Sequence, residues 1–274
     1  MRGPRLGPRV LPPGSAWLLG GSGRARHMVE RNARVYRRGW LVLISGFLEP
    51  VFYLLSLGVG LARLVGPLPG PTGVLISYTS FVAPAMLASS AMNGAVYDAT
   101  FNIFFKLKFA RVYDSVLATP MTPADVATGE VVWALLRGAG YSAAFLLVMT
   151  VMGLVGSWWG LLALPAALLV GFCFAGLGVA ATTFMRSWQD FELVTLATLP
   201  MFLFSATFYP LDSYPEPAHT LVQLSPLYHA AALVRALTTG EVAASVWPHA
   251  AVLAGLGMAG LAVAGRRLER LLLS

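Results

Sequence analysis

Two ionisable side chains interrupt long apolar runs, and they are the first residues to weigh for chemistry. Glu49 stands in the run from Trp40 to about Leu61 and is followed by Pro50, while Arg137 sits just ahead of the charge-free interval Gly138–Met185. A charge at such depth in hydrocarbon either meets a cargo or is neutralised by a partner. Three readings stay open: Glu49 touching substrate, a Glu49–Arg137 ion pair, or a protonated Glu49 bonded within a helix bundle. Pro50 also frees the carbonyl of Gly46, which lets a helix bend there. Asp98, Glu130, Asp190 and Glu192 fall at the ends of apolar runs, where solvated or capping roles are expected before catalysis.

Other constellations of reactive residues are missing from the sequence. Neither lysine follows a glycine, so there is no G-x-x-x-x-G-K-[ST] loop to cradle nucleotide phosphates. H-E-x-x-H and G-x-S-x-G are missing too, which removes the simplest hydrolase readings. His27, His219, His229 and His249 lack metal-ligand spacing, and the single Cys173 allows neither an intrachain disulfide nor a cysteine-based zinc site. No catalytic, cofactor or metal site is expected on this chain, and it is not expected to be an enzyme by itself.

The elements that must position Glu49 and Arg137 are membrane helices. The chain has 274 residues, 57% hydrophobic and 11% charged. Soluble domains carry roughly 25% charged residues, so this chain has too little polar surface to cover a water-soluble globule. The expected class is an all-α membrane protein of six transmembrane helices, spaced by the ~20 apolar residues that cross a bilayer. The spans run over about Trp40–Leu61, Val74–Tyr97, two within Gly138–Met185 divided at Gly153–Gly160, Phe191–Phe208 and Trp247–Gly265. Trp158 and Trp159 at the division suit an interfacial belt. Residues 1–23, rich in Pro, Gly and Arg, read as a disordered cytoplasmic tail, and 24–274 as one transmembrane domain.

Lysine and arginine set the orientation. With the N-terminus inside, every Lys and Arg falls on the cytoplasmic side except Arg63, Arg137 and Arg235, which places both chain ends there. The formal charge of +7 is therefore a topology signal and not a nucleic-acid footprint.

Three stretches do not span. Arg24–Trp40 forms an amphipathic interfacial helix, with Ala25, Val29, Ala33, Tyr36 and Trp40 on one side and Arg31, Arg34 and Arg38 toward anionic headgroups. It serves as a surface anchor, a mechanical link into the first span, or both. The loop Asp98–Glu130 contains a mixed-face helix, Ile103–Ala118, stopped by Pro120. Thr122 then caps a helix starting at Pro123, whose length of about 46 Å to Gly153 exceeds the ~30 Å core. Its first turns would project into the cytoplasm, for a separate protein to dock on, or lie on the membrane. The outer segment Tyr209–Glu241 reads as starting a helix at Ser225-Pro226 and stopping it at Gly240. The stripe Leu227, Ala231, Val234 and Leu237 suits a short re-entrant helix capping a pathway, with a plain outer loop as the alternative.

This order of parts resembles the ABC-2 type permeases, the membrane subunits of ATP-driven exporters, and in particular nodulation-factor and daunorubicin-type drug export permeases. The resemblance covers roughly residues 25–270. It is carried by Phe81-Val82-Ala83-Pro84-Ala85-Met86, Val116-Leu117-Ala118-Thr119-Pro120, Gly129-Glu130-Val131-Val132-Trp133-Ala134, Phe204 to Leu211 and Leu224-Ser225-Pro226-Leu227. It implies a multi-pass protein of a bacterial cytoplasmic membrane, two permease copies as a homodimer, and two ATPase subunits that hold ATP and Mg. It further implies that Phe104, Lys106, Leu107, Lys108, Arg111 and Asp114 lie on a coupling helix seated on the ATPase. Glu49, Tyr53, Met86, Met92, Phe202 and Phe208 would line the substrate pathway, an apolar lining suited to an amphipathic, drug-like, lipid or glycolipid cargo. An ion-coupled secondary transporter is a weaker fit, since such proteins usually place several carboxylates or broken helices in the membrane. A membrane scaffold or assembly protein is the remaining alternative.

Overall fold

A computed structural model of the chain describes residues 25–36, 48, 50–71, 73–106, 115–116, 118–121 and 123–273. The tail 1–23 and the candidates Arg38, Glu49, Leu107, Lys108, Arg111 and Asp114 lie outside the described residues.

The described residues are helical almost throughout. Helix α1 is Ala25–Tyr36 and α2 is Pro50–Val65, which contains a π-helical turn over Leu54–Val59. Helix α3, Tyr78–Tyr97, continues through a second π-helical turn over Asp98–Asn102. Helix α4 is Pro123–Val151, and a 3-10 turn over Trp158–Leu162 leads into α5, Ala163–Thr182. Then come α6 Phe191–Phe204, α7 Glu216–Leu224, α8 Pro226–Thr239 and α9 Val246–Leu273. Three stretches are long and apolar enough to cross a membrane: Thr128–Val151, Trp158–Thr182 and Val246–Arg267. Between α2 and α3 the sequence reading foresaw no strand. The structure has a small antiparallel hairpin there, β1 Leu68–Pro69 paired with β2 Leu75–Ile76.

Local chemistry explains several boundaries. Ser77 caps α3, its Oγ accepting from the Ser80 N–H at 3.1 Å. Gly240 ends α8 in the left-handed region at φ 83°, where its N–H reaches the Ala236 carbonyl at 3.1 Å. Ser187 and Asp190 form a capping box ahead of α6, which matches the capping role expected for Asp190.

Helix α3 is the axis of the bundle, buried along most of its length and packed by α2, α4, α5 and α8. Helices α5 and α9 pack against each other most extensively, and glycines make that possible. A Cβ added at Gly260 would sit 2.5 Å from the carbonyl carbon of Gly176, and one at Gly176 would collide with the backbone of Gly257. The two backbones touch directly, the close approach that small residues permit between membrane helices. Cys173, on the same helix, is fully buried in this core.

The non-spanning segments join the bundle more closely than their sequence suggests. The chain does not leave helix at Asp98; helical turns carry it on to Lys106. The first turns of α4 are covered, because α1 packs on them and Asp125, Val126 and Glu130 are buried. Met28 and Asn32 are buried, whereas Ala33 and Val35 face outward. Asn32 finds charged hydrogen-bond partners inside. Leu227, Ala231, Val234 and Leu237 are all buried, so α8 packs among the long helices by the apolar stripe read from its sequence.

Candidate substrate cleft and its inner charge layer

A cleft of about 700 Å³ opens between α2, α3, α4 and α6. One face of α3 forms its back wall: Met86, Ser89, Ser90, Asn93, Tyr97 and Thr100 recur at the three- and four-residue spacing of a helix stripe. From Met86 to Tyr97 that wall runs about 16 Å at 1.5 Å per residue. Aromatic side chains close both ends. At one end Tyr53 packs on Phe202, centroids 5.6 Å apart, and Phe202 meets Phe208 edge-on at 5.3 Å. At the other, Tyr97 stacks on Phe101 at 5.0 Å, and Phe101 contacts Phe191 at 5.4 Å.

The cleft also has a charge, already neutralised. Arg137 and Tyr141 line it from α4. The Arg137 Nη1 lies 2.8 Å from Asp98 Oδ1, a close ionic contact whose angle falls short of an aligned hydrogen bond, and Nη2 donates to the Tyr141 hydroxyl at 3.1 Å. Both charged side chains are buried. Among the described residues Asp98 is therefore the carboxylate paired with Arg137.

One helical level further on lies a second buried cluster. The Lys106 ammonium donates to both Glu130 oxygens at 2.7 and 2.8 Å and to the Asn32 carbonyl oxygen at 3.3 Å. The Asn32 amide donates to Glu130 at 3.1 Å, which closes a ring across three elements. Burial pulls the Lys106 ammonium below the usual lysine range, and the adjacent Glu130 carboxylate opposes that shift. Asp98 and Glu130, expected to be solvated or capping, are thus buried and ion-paired. The reason is that the arginine and lysine they meet come from neighbouring helices, which sequence spacing does not reveal.

The sequence-derived candidates divide accordingly. Tyr53, Met86 and Phe202 line the cleft, and Phe208 extends its aromatic row. Met92 instead points into the core with no exposed surface. Phe104 and Lys106 are buried against this chain's own helices, Phe104 edge-on to Phe191 at 5.1 Å. Arg31 is half-buried beside the Lys106 cluster, and Arg34 is open, with an ionic contact of 3.9 Å to Glu30. Ser90, Asn93, Tyr97 and Tyr141 were missed as lining residues. For Ser90, Asn93 and Tyr97 the signal was present as the polar stripe of α3 in an otherwise apolar span, whereas Tyr141 comes from α4.

The histidines are not all scattered. His229 on α8 and His249 on α9 bring their Nδ1 atoms to 2.7 Å, so one ring donates to the other. Nearby, Arg235 of α8 is buried, its guanidinium 3.8 Å over the Phe81 ring. Its Nε donates to the Phe81 carbonyl at 3.0 Å and its Nη2 to the Ala206 carbonyl at 2.9 Å. Ala206 holds a left-handed φ of 52°, the one non-glycine among the described residues to do so. Arg235 therefore clamps the turn after α6 onto α3.

Comparison with known proteins agrees with this arrangement. The profile of the ABC-2 type transporter family matches residues 24–238. The chain is similar to Nodulation protein J of Rhizobium leguminosarum bv. viciae, 31% identical over 252 residues, covering 90% of this chain and 92% of the relative. It is also similar to Nodulation protein J of Rhizobium leguminosarum bv. trifolii, 32% identical over 239 residues (86% and 89%). For the same-named protein of Sinorhizobium fredii the identity is 34% over 209 residues (75% and 78%). The chain belongs to the ABC-2 type transporter family and is a membrane subunit of an ABC transporter.

Proposed function

We propose that this chain is the permease of an ATP-driven exporter, working as a pair of copies above two ATPase subunits in a bacterial cytoplasmic membrane. The observation that carries the reading is the cleft between α3 and α6, large enough for a small molecule and formed beside a helix that stands apart from the bundle. Helix α6 has no buried residue, and its closest backbone neighbours are α8 and the turn before it. Leu196 and Leu199 are more than half exposed there, which supports a second permease copy completing the pathway. Six spans with both ends inside follow from the positive-inside pattern, with α2, α3, α4, α5, α6 and α9 as the crossings.

The cleft presents aromatic faces, serine hydroxyls, the Asn93 amide and a neutralised ion pair. That chemistry suits an amphipathic cargo whose polar part is uncharged, such as a glycolipid or a lipid-like drug. The relatives' name, Nodulation protein J, points toward export of a nodulation factor. Coupling would run through the segment after Lys106, which the Lys106–Glu130–Asn32 ring anchors to α4 and α1.

The test is transport into inverted vesicles with the ATPase subunit co-expressed. Export should require ATP hydrolysis and survive collapse of the proton gradient. Charge reversal at Lys108 and Arg111 should uncouple transport while leaving insertion intact; Lys106 is excluded from that variant because its partner is internal. Transport that collapses with the proton gradient and ignores ATP would refute the reading.

A further inference from the structure

A second cavity, about 730 Å³, adjoins the cleft between α6 and α5, and the two share Val96, Thr100, Val194 and Thr198. Its wall is apolar for most of its length, running along α6 from Asp190 to Met201 and along α5 past Leu177 and Ala181. Eleven residues of α6 at 1.5 Å each give a groove about 16 Å long, close to half of the ~30 Å hydrocarbon core. It is as deep as one leaflet.

Its two ends differ. The far end closes on Pro226 of α8, whereas the mouth carries Arg186 and Ser187. Arg186 is exposed, and among the described residues no carboxylate lies within ion-pair distance of its guanidinium. The nearest acid, Asp190, turns its carboxylate onto the backbone N–H groups of Arg186 and Ser187, at 2.6 and 3.0 Å. A second cation stands behind the mouth. The Arg267 guanidinium lies 3.7 Å over the ring of Phe184, which lines the groove, and donates to the Thr183 carbonyl at 3.3 Å.

From this juxtaposition we infer that the α5–α6 groove is a binding site for an anionic phospholipid of the cytoplasmic leaflet. An acyl chain fills the apolar length and the phosphate meets Arg186. The inference rests on the proposed orientation, which puts residue 186 at the inner face. Basic pockets between membrane helices on the cytoplasmic side bind anionic headgroups by the same logic, because that leaflet carries the negative lipids. A bound lipid here would hold α6 off α5 and, through the shared wall of Val194 and Thr198, bear on the shape of the adjoining cleft.

The experiment uses the full chain in mild detergent, titrated with equal amounts of phosphatidylglycerol and phosphatidylcholine and read by native mass spectrometry. Wild type should retain phosphatidylglycerol in preference by about fivefold, and Arg186→Gln should bring the two lipids to parity. Ala181→Trp, at an exposed position on the groove wall, should lower retention of both. Undiminished preference in Arg186→Gln, or full retention in Ala181→Trp, would overturn the site. So would a dimer that carries no lipid while the monomer does, since the second copy would then occupy the groove. Orientation is read separately, by labelling Ser187→Cys in a Cys173→Ala background with a membrane-impermeant maleimide. Labelling from outside would sink the topology whatever the lipid result.

Discussion

The ring of Lys106, Glu130 and Asn32 allows a prediction with a built-in control. Replacing Glu130 with Met leaves an ammonium in a site where Lys106 is only 9% exposed. Removing one partner of a buried ion pair costs about 3–5 kcal/mol, because the other charge stays desolvated and unpaired. At roughly 2–4 °C per kcal/mol for chains of this size, the melting point should fall by about 10 °C. Replacing both charges, as Lys106→Met with Glu130→Met, removes the unpaired group. It should recover most of that loss, since apolar substitutes for a buried pair are often neutral or better. The assay is thermal unfolding in detergent for wild type, both single variants and the double variant. A double variant as unstable as either single one would refute the reasoning, because it would mean that the two charges are not each other's partners. If the double variant is stable yet uncoupled from the ATPase, the ring is dispensable to the bundle and needed by the segment it anchors.

Three further outcomes are expected. Gly260→Ala should destabilise by about 1–3 kcal/mol through overpacking on Gly176, whereas Gly255→Ala, whose added Cβ meets nothing within 4 Å, should be neutral or slightly stabilising in the same melts. Arg235→Lys cannot hold the Phe81 and Ala206 carbonyls at once and should cost about 1.5–3 kcal/mol, seen as lower melting and faster proteolysis after residue 205. Backbone N–H groups at Arg186 and Ser187 hold the Asp190 carboxyl below its usual range. Its contribution is therefore present above the unfolded value of about 3.9 and lost as pH falls through the lower folded value. The melting gap between wild type and Asp190→Asn should be constant near neutrality and close only in strong acid.

The sequence displayed what depends on local pattern and concealed what depends on neighbours. Apolar runs located the long helices, Pro123 and Gly240 marked real helix ends, and the Leu227–Leu237 stripe foretold a buried helix. In each case the signal is a propensity or a period that one segment carries alone. The partners of Arg137 and Glu130 were not legible, because Asp98 and Lys106 reach them across helices and no spacing rule links those positions. The same reason hid the His229–His249 contact. The contact of α1 with the bundle was not foreseen, because Asn32 meets Lys106 and Glu130 from other elements and no spacing rule links those positions. The cleft lay between these cases: Tyr53, Met86 and Phe202 were anticipated, while the stripe of α3 behind them was visible as periodicity and was not read as a wall.

The contact of Gly176 with Gly257 and Gly260 bears on how such a machine can move. Where backbone meets backbone there are no side chains between the helices to change rotamer, so the pair has nothing to slide on. Helices α5 and α9 must then travel as a single strut, and α3, buried against α5, goes with them. Helix α6 has no such attachment. Movement within the bundle is therefore taken up where α6 meets α3 and α5, along the wall that the cleft and the groove share. Val194 and Thr198 line both, so a shift of α6 reshapes the two cavities together.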